Sequence, residues 1–305
     1  MKKMSLYRSR PVRICSALAV LFLTTACGTS RPLMTTENAK RIAAPAWMIG
    51  REIPAGSYML TAFERIHKYN STVNVYIEGN TPAPDYPVGL HLASKDNADN
   101  VIYLAQPCQI SGLIDGDRKC TLSGENRYGP QAMAAFEDAL DEIANRYDVR
   151  GFHLIGYDGG AAVAANLAAS RKDILSLRTV AGILDTDAYN AAHSMPPTSN
   201  NQNPALKAGQ LADMPQYHFI GGQDTTVPPS ILHSYFQTVP PTNCVKYEMI
   251  QENEHVDGWV EKWPELLKRP VNCAPGARQD FNALDLVSQE EPVPGVIMPE
   301  KPEKP

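Results

Sequence analysis

No block of basic residues interrupts the chain. Its 28 lysines and arginines stand against 33 acids, giving a net charge of −5, which argues against nucleic acid as a partner. The sequence holds no His-Glu-x-x-His, no paired Cys-x-x-Cys and no Gly-Lys-Ser/Thr phosphate loop. Neither a metal nor a nucleotide cofactor is therefore expected. There is no internal repeat, and the apolar run Ile14 to Leu23 is too short for a comfortable membrane span. What is present is 305 residues with 43% hydrophobic content, enough for one large domain with a sizeable core.

Residues 1–26 read as an export signal. Lys2, Lys3, Arg8, Arg10 and Arg13 precede the run Ile14 to Leu23, and Thr24-Thr25-Ala26-Cys27-Gly28 follows. Small residues before a cysteine resemble the lipobox of bacterial lipoproteins, with Thr24 where Leu is usual. The resemblance implies lipidation of Cys27, a lipid anchor in the membrane and, with Gly28 next, an outer-membrane position facing the periplasm. The alternative is a plain secretory signal and a secreted or periplasmic protein. Four cysteines remain: Cys108, Cys120, Cys244 and Cys273. An even number in an exported chain suggests two disulfides, and sequence neighbours favour Cys108–Cys120 and Cys244–Cys273 among three possible pairings.

Residues 27–50 read as a tether, 51–273 as the folded domain and 274–305, with Pro-Glu-Lys runs, as a disordered tail. Strands are expected at Tyr58 to Arg65, Thr72 to Glu78, Asn100 to Ala105, Phe152 to Ile155, Leu175 to Ile183, Tyr217 to Gly221 and Val245 to Ile250. Helices are expected near Pro87 to Lys95, from Pro130 through Tyr147, at Ala161 to Ser170, Pro229 to Thr238 and Trp259 to Leu267. The stretch Asp185 to Asp213 is a long excursion with little helical pattern. Alternation of strands and helices argues for an α/β domain, a mostly parallel twisted sheet with helices on both faces. Ligands in such sheets collect at the carboxyl ends of the strands.

Residues 151–165 carry the main signal. A short apolar strand runs into Gly156-Tyr157-Asp158-Gly159-Gly160 and then an Ala-rich helix, the pattern of a nucleophile elbow with Asp158 at its centre. Asp224 follows the strand Tyr217 to Ile220, and His255 follows the strand Val245 to Ile250. Nucleophile, acid and base in that order match the chain order of α/β-hydrolase triads. Alone, Asp224 could cap a loop and His255 could be a surface histidine among Glu252, Glu254 and Asp257. His153 and His218 lie inside expected strands and read as core residues, while His193 could line the cleft.

The stretch 151–186 resembles the elbow and following strand of bacterial α/β-hydrolase-fold (lipo)proteins, whose pattern is Gly-Tyr-Ser-Gly-Gly, then Thr-Val-Ala-Gly-x-Leu-Asp. Thr179 to Asp185 matches the second motif, and His218 to Pro228, His255 to Trp259 and Val75 to Asn80 are similar to the acid, histidine and oxyanion-loop segments. The resemblance covers about residues 55–270 and implies the α/β-hydrolase fold. It also implies oxyanion donors from Gly159 and from the loop around Gly79 and Asn80, and a small-molecule substrate.

The departure is Asp158 where the pattern has Ser, and three readings stay open. Asp158 could be a nucleophile forming an ester intermediate, as in haloalkane dehalogenases and epoxide hydrolases. Yet Gly159 stands where dehalogenases have Trp, and only Tyr189 is offered by the excursion. Alternatively, the site could have lost its chemistry, leaving a cell-envelope binding or interaction protein on a hydrolase scaffold. Or Asp158 or His255 could activate water on a labile ester. The leading expectation is a cofactor-independent hydrolase of a small ester-like substrate, built on Asp158, Asp224 and His255.

Overall fold

An eight-stranded sheet forms the centre of the computed structural model, which describes residues 36–80, 86–110, 128–197 and 202–273. The strands are β1 (Ile49–Ala55), β2 (Tyr58–Ile66), β3 (Thr72–Ile77), β4 (Asn100–Leu104), β5 (Gly151–Tyr157), β6 (Ile174–Val180), β7 (Gln216–Gly221) and β8 (Val245–Ile250). Their order is β1-β2-β4-β3-β5-β6-β7-β8. The pairs β1/β2 and β2/β4 are antiparallel, and every pairing from β4 to β8 is parallel. The expected mostly parallel α/β sheet is what the chain forms.

The helices are α1 (Thr36–Ala43), α2 (Val88–Lys95), α3 (Pro130–Tyr147), α4 (Gly159–Ser170), α5 (Thr186–Ala192), α6 (Ala208–Leu211), α7 (Pro229–Thr238) and α8 (Trp259–Leu266). Alternation along the strands divides the core between two faces. Val73, Val75, Ile77, Phe152 and Leu154 point to one side, against Phe136, Leu140 and Ile143 of α3, Val163 and Leu167 of α4 and Tyr235 of α7. Tyr76, Ile155, Tyr157 and Phe219 point to the other, against Ala39 and Ala43 of α1, Leu90 and Leu92 of α2 and Trp259 and Trp263 of α8. Both tryptophans pack the last helix onto the sheet, as the sequence suggests, and Trp263 Nε1 donates to the Tyr76 hydroxyl at 3.0 Å.

Regular structure begins earlier than the sequence suggests. The stretch read as a tether contains α1 and the first residues of β1, with Ala39, Ala43 and Met48 buried. β6 is shorter than expected and stops at Val180, because Ala181 turns to φ 48°. The excursion 185–213 is more helical than its composition indicates, holding α5, a 3-10 turn at Pro204–Lys207 and α6. Asp185 explains the first of these: its carboxylate accepts the Asp187 and Ala188 N–H groups at 3.1 Å each, a local N-cap. Asn203 Nδ2 ties the same carboxylate to the far side of the excursion at 2.8 Å.

Cys244 and Cys273 form the expected disulfide. Cys108 is also disulfide-bonded; Cys120, the export signal, Cys27 and the tail 274–305 lie outside the described residues.

Candidate active site

The parallel registers bring several strand ends to one edge. Ile77 of β3 lies beside Gly156 of β5, Tyr157 beside Val180 of β6, and Gly221 of β7 beside Ile250 of β8. The residues that follow these strands, Glu78 to Asn80, Asp158, Asp224 and His255, therefore emerge together.

Asp158 sits between β5 and α4 with φ 51° and ψ −123°, a region costly for a residue with a Cβ. The surrounding backbone holds it there. Asp158 N donates to Val180 O at 3.1 Å, while Asp158 O accepts from Ala161 N at 3.1 Å and Ile183 N at 3.0 Å. The tight turn also needs glycine at position 160, where a Cβ would fall 2.2 Å from Ile77 O. This is the geometry of a nucleophile elbow, and it presents the Asp158 carboxylate at the strand ends.

Asp224 is fully buried, and its loop fixes its orientation. Oδ1 accepts Thr226 N at 2.9 Å and Val227 N at 2.7 Å, leaving Oδ2 for His255 Nδ1 at 3.0 Å. Nδ1 then carries the proton, and Nε2 faces Asp158 Oδ1 at 3.7 Å, an ion-pair distance longer than a direct hydrogen bond. The His255 loop is pinned from outside by Tyr157, whose hydroxyl donates to His255 O at 3.1 Å, and by Trp259 Nε1 at the same distance. Burial works against the imidazolium, but the Asp224 hydrogen bond and the charges of Asp158 and Asp224 outweigh it, so the pKa lies above the ordinary value. These two partners, rather than the neighbouring Glu252, Glu254 and Asp257 that the sequence suggests, raise it.

The oxyanion loop departs from expectation at one point. Asn80 N donates to Asp158 Oδ2 at 2.9 Å. Gly79 N instead donates to Glu78 Oε1 at 2.9 Å, because that buried carboxylate lies directly behind it. Of the two loop residues, Asn80 is the one that addresses the elbow. The Asn80 side chain reaches over the start of α4 to the Tyr128 hydroxyl, and a Cβ at Gly159 would fall 2.0 Å from Asn80 Nδ2. Gly159 thus leaves space for the loop, whatever its own N–H donates to.

Among the other histidines, His218 is fully buried beneath the sheet surface, and burial lowers its pKa to about 3. His153 shares a 2.7 Å contact with Ser176 Oγ. His193 is exposed and meets Thr226 O at 2.8 Å, beside the acid loop rather than at the elbow. Among the described residues, no three His, Cys, Asp or Glu side chains are grouped to hold a metal ion. Glu78 reads from the sequence as a strand cap beside the oxyanion loop, and the structure adds what it holds. It borders the oxyanion loop, but its partners on α2 are eleven and twelve residues away.

No family model and no curated protein matches the sequence. Solved structures do match the fold. The Pyrococcus furiosus esterase Pf2001 superposes with a TM-score of 0.54 at 15% identity, covering 74% of this chain and 94% of that one. An alpha-beta serine hydrolase homologue from Coxiella burnetii gives 0.53 at 16% identity, covering 72% and 96%. Est1E from Butyrivibrio proteoclasticus gives 0.52 at 14%, covering 72% and 96%. Strand order, elbow and these likenesses agree: the chain has the α/β-hydrolase fold.

Proposed function

We propose that this protein is a cofactor-independent hydrolase of a small ester-like or related substrate, with Asp158 as its nucleophile. The observation that carries this reading is the 2.9 Å bond from Asn80 N to Asp158 Oδ2. In a serine esterase, that donor would receive the oxygen of the substrate carbonyl. Here it holds one oxygen of the side chain at the elbow, and the other oxygen, Oδ1, faces His255.

Such an arrangement suits two successive displacements. Oδ1 attacks a saturated carbon of the substrate, such as the alkyl carbon of an ester or an epoxide carbon, forming a C–O bond as the leaving group departs with the bonding electrons. A basic leaving oxygen takes the proton of His255 Nε2, whereas a carboxylate or halide departs as the anion. Water then attacks Cγ of the aspartyl ester, with its proton passing to His255 Nε2. The negative charge that develops in this second step falls on Oδ2, where Asn80 N–H already points. The C–Oδ1 bond to the substrate carbon breaks in neither step; the Cγ–Oδ1 bond breaks, Oδ1 leaves on the product alcohol with the proton returned by His255 Nε2, and the water oxygen remains on Asp158.

Charge supports the timing. While Asp158 is ionised, it helps keep His255 protonated, and an imidazolium cannot serve as base. Esterification cancels that charge, so the imidazole becomes a competent base at the stage that needs one.

A second reading, a cell-envelope binding protein on a hydrolase scaffold, is favoured by the closure of the site: Asp158 is 1% and His255 7% exposed. One experiment separates the two. His255→Gln should still be alkylated by an epoxide or a haloalkane yet fail to release product, so intact-mass analysis should find a stable adduct on Asp158. No adduct with any of these probes, in a folded variant, would favour the binding protein.

We also propose export and lipidation at Cys27, supported by the signal pattern and by the Cys244–Cys273 disulfide, which suits an oxidising compartment. Labelled palmitate should enter the wild-type chain and not Cys27→Ser.

A further inference from the structure

Glu78 is 3% exposed and lies one residue past β3, behind the loop that carries Asn80. Both of its carboxylate oxygens are engaged by backbone N–H groups. Oε1 accepts Gly79 N at 2.9 Å and Gly89 N at 3.2 Å, and Oε2 accepts Leu90 N at 3.2 Å. Gly79 opens the loop before α2, whereas Gly89 and Leu90 belong to the first turn of α2 itself. One side chain therefore clamps Gly79, next to Asn80, to the first turn of α2. The backbone of Glu78 is fixed as well: its N–H donates to Leu104 O at 3.1 Å, and its carbonyl accepts Gln106 Nε2 at 2.6 Å. A further sign of design is the close approach of α2, where a Cβ at Gly89 would lie 3.0 Å from Glu78 Oε2.

From this geometry we infer that Glu78 is a positioning residue for the oxyanion donor, and that its ionised carboxylate is what holds Asn80 N–H on Asp158. The inference rests on the reading of Asn80 as that donor. A carboxylate accepts three N–H groups without conflict; a carboxylic acid turns one of its oxygens into a donor, which then faces an N–H. Protonating Glu78 therefore loosens one end of the clamp. Burial pushes this carboxyl up to about 7 despite the opposing pull of its backbone donors and of the Tyr103 hydroxyl, so the change falls within the physiological range. The titratable groups around it are Tyr103 of β4, Tyr157 of β5 and, on the far side of the Gly79–Asn80 backbone, the Asp158 carboxylate; burial with nearby negative charge keeps both phenols neutral there. The oxyanion loop is thus assembled on the alkaline side of about 7 and relaxed on the acid side.

The test needs no substrate. In His255→Gln protein, where the neighbouring imidazole no longer titrates, the backbone amides of Asn80, Gly89 and Leu90 are followed by NMR against pH together with the Glu78 carboxyl carbon. All four signals are expected to share one midpoint near 7. The amide transitions are expected to vanish in His255→Gln/Glu78→Gln. Overturning results are an Asn80 amide that does not move with the Glu78 carboxyl carbon, or one that moves identically without Glu78. The first comparison stands even if the double variant does not fold. Where turnover is measurable, wild-type kcat should fall by roughly fivefold or more from pH 7 to 6 with KM little changed, and Glu78→Gln should fall less over that interval, keeping only the part set by protonation of the His255 base. Loss of the aspartyl-ester mechanism would leave the amide result untouched, so the two ideas fail separately.

Discussion

Two carboxylates flank one imidazole, and the loops that carry them are built to different ends. Asp224 is satisfied from within its own turn: Thr226 N and Val227 N take one oxygen, and His255 takes the other. Asp158 is held from outside its turn, on a backbone at φ 51°, by an N–H that lies 78 residues away in sequence. The first arrangement fixes a group in place. The second presents a group, with one oxygen braced and the other turned toward the histidine. On the proposed mechanism the contrast matches an orienting role for Asp224 and a reacting one for Asp158, although both are carboxylates and both are buried.

The largest expected effect is on turnover. Asp158→Asn should lower kcat/KM by roughly 10⁴-fold or more, because an amide oxygen is a poor nucleophile. Asp224→Ala should lower it by about 10⁴-fold through a misoriented imidazole. Only Asp224→Ala should still form a covalent adduct on Asp158, seen by intact mass; equal adduct yields from both variants would erase the distinction.

Stability should rank the pair the other way. Asp224→Ala strands the Thr226 and Val227 N–H groups and should cost about 2–3 kcal/mol in denaturant melts. Asp158→Asn should change stability by less than about 1 kcal/mol, since Asn tolerates positive φ and a buried charge is removed. A larger loss at Asp158 would mark it as a structural carboxylate.

The smallest effect is on protonation. Because the His255 pKa is raised in the folded state, its contribution to stability is fully present below about 6.5 and fades as pH rises through the folded value. In Asp158→Asn one source of that rise is gone, so the imidazole NMR titration should move to lower pH. An unchanged midpoint would mean that Asp158 does not act on His255.

Much of this was legible in the sequence, for physical reasons. β3, β5, β7 and β8 carry dense apolar or β-branched runs, and each is followed by a candidate polar residue, so Asp158, Asp224 and His255 could be placed at strand ends without coordinates. β1 was not legible: it is an edge strand with Gly50 and Pro54 inside it and a half-exposed pattern, and an edge tolerates residues that a central strand would not. α1 is eight residues long and packs only Ala39, Ile42 and Ala43 against the core, a stripe too brief and too small-sided to stand out from the polar residues around it. α5 depends on an Asp185 cap and on Asn203 across the excursion, not on an amphipathic stripe. Within the site, the choice of Asn80 over Gly79 follows from where the Glu78 carboxylate lies, and its contacts with Gly89 and Leu90 exist only once α2 has docked.

The central claim, that Asp158 forms a bond to the substrate, has a direct test. A single turnover in heavy-oxygen water, followed by mass analysis of the peptide containing Asp158, reports where the water oxygen goes. Label in the Asp158 carboxylate, with unlabelled oxygen leaving on the product, is the expected result. Turnover with all the label in the product and none in Asp158 would contradict it.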